Sequence, residues 1–213
     1  MGTAHPTRLD HVNITMTNLN QKIQALKPKV YAAFDDTRFP GQSNLVDKRG
    51  CDDSEVRDFY QFAEWQSIPD NAIAFNNASL SFFSPEAYQF YLPRYLIYAL
   101  DNYTSGEIVI DNTIYSLAPQ MKCNMEEIKK YLSDHGNVIS VQERKILKDI
   151  IMHFETSEND DSIEFSISKY RCLNEEQKSL IYLILRFIND HLLEYFDEEA
   201  VKSALDYWCN EIK

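Results

Sequence analysis

The chain has 213 residues, of which 21 are Lys or Arg and 33 are Asp or Glu, so its formal net charge is −12. A charge this negative repels phosphate backbones and anionic lipid, so we expect neither nucleic acid nor a membrane surface as a partner. The same charge favours encounter with a basic protein. A content of only 5 glycines argues against an all-β sandwich and against Gly-rich phosphate loops.

The cysteines and the N-terminus predict a cytoplasmic protein. The four cysteines form no CxxC pair, which favours free thiols in a reducing compartment. The first residues lack the apolar core of a secretory signal, and no apolar run approaches the ~20 residues that span a bilayer.

The N-terminal part of the chain predicts a helix after an irregular start. Residues 1–16 are polar and unpatterned, so we expect a flexible N-terminal segment. From Asn18 onwards the apolar residues follow helical spacing. Pro28 interrupts this pattern and predicts either a kink or a helix start near Lys27.

The next stretch predicts short elements. Residues 52–54, Asp-Asp-Ser, are typical of a helix start and precede several apolar residues. Pro-Asp-Asn at 69–71 predicts a turn. Residues 71–83 predict a short helix followed by an extended piece.

A long aromatic helix is predicted from Ser84. Ser84 is a good N-cap residue, Pro85 has the φ angle that the first helical residue needs, and the negative charge of Glu86 is favourable in the first turn. Apolar residues then recur at helical spacing to Tyr103, and Pro93 predicts a kink near 89–91. The tyrosine stripe has two interpretations, a buried core face or a partner-binding surface, and we favour the core. The candidate partner-binding residues are Tyr88, Tyr91, Arg94, Tyr95 and Trp65.

The second half of the chain predicts more helices and two short extended pieces. Apolar β-branched residues near 106–110 and alternation at 162–168 predict edge strands or a short β-hairpin. Residues 125–132 predict a short amphipathic helix. Ser140 with Glu143, and Asn174 with Gln177, each predict a helix that begins with a capping box. A last helix is expected after Asp197.

The segment 34–103 resembles a bacterial family of uncharacterised domains. Its members carry an Ala-Phe pair, a Cys-acid segment, an aromatic–Trp pair and a helix of the form S-P-E-A-x-x-[FY]-Y-L-P-x-Y-L. Residues 84–96 here read SPEAYQFYLPRYL, and the earlier features correspond to Ala33-Phe34, Cys51-Asp52-Asp53, and Phe62 with Trp65. Residues 104–170 match this pattern poorly, as an insertion would. The resemblance supports the fold and implies no activity.

The sequence shows no pattern for catalysis, metal or cofactor binding. The five histidines are isolated, and no HxxxH or HExxH spacing occurs. The nucleophile elbow, the P-loop and GxGxxG are also missing. We therefore expect no metal and no cofactor.

These observations predict a mainly α, irregular multi-helix single domain over 17–213, with a soft boundary near 104–138. We expect an acidic protein-interaction domain, with an immunity-type role, the neutralising of a basic protein, as its more specific form. Two alternatives stay open: an enzyme whose site is assembled from distant Asp, Glu, His and Tyr residues, and a self-assembling structural protein. The sequence does not fix the oligomeric state.

Overall fold

The computed structural model describes residues 8–46, 53–118 and 167–211, with scattered positions between 130 and 148. Side chains are described from residue 17 in the first range and from residue 56 in the second. These parts of the chain are mainly helical and contain no strand, only an isolated antiparallel bridge between Val46 and Phe83. The predicted mainly α fold is therefore confirmed.

The described helices vary widely in length and are joined by short turns. Four of the described segments are 3-10 helices: Gln42–Asn44, Asp53–Gln61, Trp65–Ser67 and Leu193–Tyr195. The described α-helices are α1 (Arg8–Ala33), α2 (Asp70–Phe75), α3 (Ser79–Phe82), α4 (Pro85–Asp101), α5 (Ile108–Tyr115), α6 (Glu175–His191) and α7 (Glu198–Glu211).

Helix α4 lies at the centre of the domain and contacts α1, α2, α3 and α5. Every residue from 95 to 100 is buried, so this stretch of α4 is covered on all sides. A helix that is apolar all round is stable only in such a position. The helix begins as predicted, because the Ser84 hydroxyl oxygen accepts from the Ala87 amide at 3.1 Å and Pro85 is its first residue.

Helices α1 and α6 pack side by side in opposite directions. The buried Gln177 side chain at the start of α6 donates to the carbonyl oxygen of Ala33 at the end of α1, at 3.1 Å. The Nζ atom of Lys22, earlier in α1, lies 3.3 Å from the Nε2 atom of His191 at the end of α6. The predicted capping box of α6 is present, because Asn174 and Gln177 each accept from the other's backbone amide.

Several predicted boundaries differ from the observed ones. Helix α1 begins at Arg8, within the segment predicted to be flexible, and it runs through Pro28 without ending. The turn predicted at 69–71 is wrong, because Pro69 is the cap of α2 and Asp70 its first residue. The extended piece predicted before Ser84 is also wrong over 79–82, which form α3.

The strand predicted near 106–110 is wrong, because residues 108–115 form α5. Its buried residues Val109, Ile110, Thr113 and Ile114 lie at i, i+1, i+4 and i+5, which is one face of a helix. The helix predicted at 125–132, the capping box at Ser140 and the strand at 162–168 lie wholly or mostly outside the described residues.

Candidate functional site

The tyrosines on one side of α4 bind the chain's own irregular segment. The buried Tyr91 hydroxyl donates to the carbonyl oxygens of Phe59 and Phe62, at 3.1 and 2.7 Å. The Tyr95 hydroxyl donates to the carbonyl oxygen of Asn76 at 2.8 Å. The Phe59 and Asn76 carbonyl oxygens also accept from the backbone amides of Phe62 and Ser79, so the phenols add a second hydrogen bond there. Tyr91 supplies a donor for the Phe62 carbonyl oxygen as well.

Two more of the five predicted partner-binding residues, Arg94 and Trp65, are also used internally. Arg94 donates from Nε to the carbonyl oxygen of Ile68 at 2.8 Å and forms an ion pair with Asp70. Trp65 is buried, and its ring stacks on Tyr31 with the ring centroids 5.2 Å apart. Together these contacts hold the segment between α1 and α3 against α4 and, through Tyr31, against α1.

Three aromatic donors from different parts of the chain meet at the end of α5. The hydroxyls of Tyr88 and Tyr170 both donate to the carbonyl oxygen of Ser116, at 2.8 and 2.9 Å. Trp208 of α7 donates to the carbonyl oxygen of Leu117 at 2.7 Å. Burial raises the pKa values of Tyr88 and Tyr170, so both phenols stay neutral donors.

The predicted partner-binding surface therefore needs a correction. The side chains of Trp65, Tyr88, Tyr91 and Tyr95 are buried and offer no surface to another molecule. Arg94 is partly exposed, but its guanidinium is held by Ile68 and Asp70. The core interpretation of the tyrosine stripe accounts for all these contacts.

The described residues also offer little for catalysis. No group of three or more His, Cys, Asp or Glu residues within them is placed to hold a metal ion. Burial raises the pKa of the Cys172 thiol, which makes it a weaker nucleophile at neutral pH.

An exposed apolar surface lies on α2 and α5, and we call it the α2–α5 surface. It consists of Phe75, Ile108 and Tyr115, which are 76%, 63% and 51% exposed. Ile108 and Tyr115 are seven residues apart and so share one side of α5, opposite its buried face. Large apolar side chains that stay exposed in this way often mark interaction sites.

Side-chain contacts place α2 and α5 in the same part of the domain. The Asn112 side-chain amide of α5 donates to the side-chain and backbone oxygens of Asn77, just after α2, at 3.0 and 3.3 Å. The Tyr98 hydroxyl of α4 donates to Glu107, just before α5, and the charge of Asp70, at the start of α2, acts on the Tyr98 phenol. The end of α2 is therefore tied to the middle of α5, and the residues that begin both helices lie near Tyr98.

Carboxylates flank the α2–α5 surface at its Ile108 end. Burial, the hydrogen bond and charge of Glu107, and the charge of Asp70 raise the pKa of Tyr98 to about 12. Segments 68–78 and 104–118 contain Asp70, Glu107 and Asp111 and no Lys, Arg or His. Arg94, contributed by α4, forms an ion pair with Asp70 and offsets its charge.

Carboxylates also flank the Tyr115 end. The Tyr115 hydroxyl donates to Asp197 at 2.8 Å, just before α7. The pKa of Tyr115 is raised by this bond, by burial and by the charges of Asp197, Asp111 and Glu199. The pKa of Asp197 is lowered by the backbone amide of Ala200 and by the Tyr115 hydroxyl, so it stays ionised. The surface is thus apolar in the middle and acidic at both ends.

The fold and this surface define a mainly α-helical domain with an exposed apolar and acidic face. The chain belongs to the family of unknown function DUF6714, whose profile matches residues 23–148, more than half of the chain. The matched range includes 104–148, which the sequence resemblance did not cover. No curated protein and no solved structure matches the chain. Within the described parts, no helix combines the length and the apolar character that crossing a membrane requires.

Proposed function

We propose that this chain is a protein-interaction domain that binds a basic protein. The observation that carries the proposal is the α2–α5 surface, where Phe75 and Ile108 stay exposed between carboxylates. Apolar contacts supply affinity at such a surface, and the charges at its edge select a partner of opposite sign. The net charge of −12 adds long-range attraction for the same partner.

An immunity-type role, in which binding neutralises the basic partner, is the specific form of this function that we propose. It requires that the bound partner loses its own activity. The proposal places the protein in the bacterial cytoplasm. Cys172 and Cys209, which are free thiols, agree with a reducing compartment.

The experiment is affinity capture with the full chain from a lysate of the encoding organism, followed by purification of the recovered partner. We expect a protein of basic isoelectric point and a defined stoichiometry by light scattering. Because charge attraction is screened by salt, the dissociation constant should rise at least ~10-fold from 50 to 500 mM NaCl. An immunity-type role further predicts that stoichiometric addition of the chain abolishes the partner's activity.

Three results would overturn the proposal. The first is a partner that is acidic or neutral and whose affinity does not depend on salt. The second is recovery of no partner above the background of an unrelated acidic protein. The third is a concentration-dependent assembly of the chain alone, which would favour the self-assembling alternative. Turnover of a small-molecule substrate by the isolated chain would instead favour the enzyme alternative.

A further inference from the structure

The outer side of α5 has the pattern of a helix-docking face. Ile108, Asn112 and Tyr115 lie at i, i+4 and i+7 and point away from the buried face. At a rise of about 1.5 Å per residue, Ile108 and Tyr115 are about 10 Å apart along the helix, or two turns. A second helix laid along α5 would meet both side chains with residues seven apart.

The charges define what that second helix carries. Asp70 and Glu107 lie near one end of the stripe, and Asp197 and Glu199 lie near the other. A complementary helix therefore has apolar residues in the middle and Lys or Arg residues at both ends. Its basic ends would face Glu107 at one end and Asp197 and Glu199 at the other, while Asp70 is already paired with Arg94.

Other occupants fit this surface less well. An extended peptide binds by pairing with a free sheet edge, and the described residues contain no sheet to extend. A second copy of this chain would bring the same carboxylates face to face in a symmetric dimer, with a net charge of −12 on each copy. A helix from a basic protein meets neither objection.

We infer that the α2–α5 surface docks an amphipathic helix of the basic partner along α5. Apolar residues seven apart pack on Ile108 and Tyr115, and basic residues at both ends face the carboxylates. This inference rests on the proposed function and adds the form in which the partner is recognised.

The test uses two synthetic peptides of about 18 residues, roughly five helical turns, with identical Leu and Lys content. One places its leucines on a single helical face, and the other has a shuffled order without such a face. Binding to the full chain is measured by fluorescence anisotropy of the labelled peptides. We expect the amphipathic peptide to bind at least ~10-fold more tightly than the shuffled one.

Two variants locate the contact. Ile108→Lys places a charge in the centre of the surface and should weaken binding of the amphipathic peptide at least ~10-fold. Leu183→Lys is the matched control, because Leu183 is an exposed apolar residue of α6 and the change adds the same charge. It should change the affinity less than ~2-fold, since surface substitutions away from a contact have small effects. Circular dichroism and thermal unfolding verify that both variants are folded.

The outcomes separate this inference from the proposed function. Equal binding of the two peptides, weakened by salt, would overturn helix docking and leave recognition of a basic partner intact. Equal effects of Ile108→Lys and Leu183→Lys would overturn the location. If neither peptide binds, helix docking is overturned, and the capture experiment decides the proposed function independently.

Discussion

The side-chain amide of Asn112 on α5 donates to the side-chain oxygen of Asn77, with nitrogen and oxygen 3.0 Å apart. The same amide lies 3.3 Å from the Asn77 carbonyl oxygen. Because Asn77 follows α2 by two residues, this pair fixes α5 against the end of α2.

Replacing Asn112 should therefore loosen the α2–α5 surface. Asn112→Ala removes the donor for both Asn77 oxygens, and we expect a loss of about 1 kcal/mol in the free energy of unfolding. Urea denaturation measures this free energy.

The control is Asn210→Ala. Asn210 is exposed, and among the described contacts it bonds only to the Asp206 carbonyl oxygen of its own helix. The control should stay within about 0.5 kcal/mol of the unaltered protein. Equal losses in the two variants would show that the Asn112–Asn77 pair has no special role.

Tyr91 separates the core interpretation of α4 from the partner-binding one. Tyr91→Phe keeps the ring and removes the side-chain donor to the carbonyl oxygens of Phe59 and Phe62, of which Phe59 keeps the backbone amide of Phe62 as a partner. We expect a loss of about 1–3 kcal/mol in stability by urea denaturation. Tyr31→Phe is the control, because the Tyr31 side chain is exposed and its stacking on Trp65 needs only the ring.

A partner-binding role for Tyr91 predicts the opposite pattern. In that case Tyr91→Phe would leave stability unchanged and weaken binding of the basic partner. This result would contradict the core assignment.

Local capping signals made part of this fold predictable from the sequence. The side-chain oxygens of Ser84 and Asn174 accept hydrogen bonds from backbone amides three residues away. Each helix start is therefore determined by residues that are close in the sequence. The stretch 108–110 was mispredicted because three apolar residues, Ile-Val-Ile, suit a strand or a buried helix equally. Contact of α5 with α4 and α7 decides in favour of the helix.

The candidate site was less predictable than the fold. In the sequence, Phe75 belongs to the same kind of apolar segment as the buried Ile73. Whether such a residue is covered depends on how α2 lies on α4, which is a long-range property.

The tyrosine density of α4 left a partner-binding surface open as an alternative to the favoured core. The hydroxyls of Tyr91 and Tyr95 donate to carbonyl oxygens within 59–76, and that of Tyr88 donates to Ser116. The sequence does not show where these carbonyl groups lie.

Alkaline pH should destabilise the protein through Tyr98. Burial and then Glu107 raise the pKa of Tyr98 to about 12 in the folded state, against about 10 in the unfolded chain. A raised folded pKa contributes stability that is complete below the unfolded pKa and is lost as pH rises through the folded one. Stability should therefore fall between about pH 10 and 12, and less steeply in Tyr98→Phe.

The measurement is the urea midpoint of both proteins at intervals across this range. Deprotonation of lysines and of other tyrosines affects both proteins alike, so the difference between the two curves reports on Tyr98. If the stability of the two proteins fell in parallel with pH, the result would contradict a raised pKa of Tyr98 in the folded state.

Gln177 combines two roles that substitutions can separate. It completes the capping box of α6 through Asn174 and donates to Ala33 of α1 from a buried position. Gln177→Glu retains an acceptor for the box but has no amide donor for Ala33, so we expect a loss of about 1–3 kcal/mol by urea denaturation. Asn174→Ser keeps a capping oxygen and should cost less than about 0.5 kcal/mol. A larger loss of stability in Asn174→Ser than in Gln177→Glu would show that the capping box, and not the bond to Ala33, is the main contribution of Gln177.

Amide hydrogen exchange of the full chain, with and without its purified basic partner, tests the central claim most directly. The account predicts slower exchange in the complex at 70–77 and 107–115, because the partner covers Phe75, Ile108 and Tyr115. The rest of the described surface should keep its exchange rates. Slower exchange confined to other segments, with 70–77 and 107–115 unchanged, would contradict the claim that this surface binds the partner.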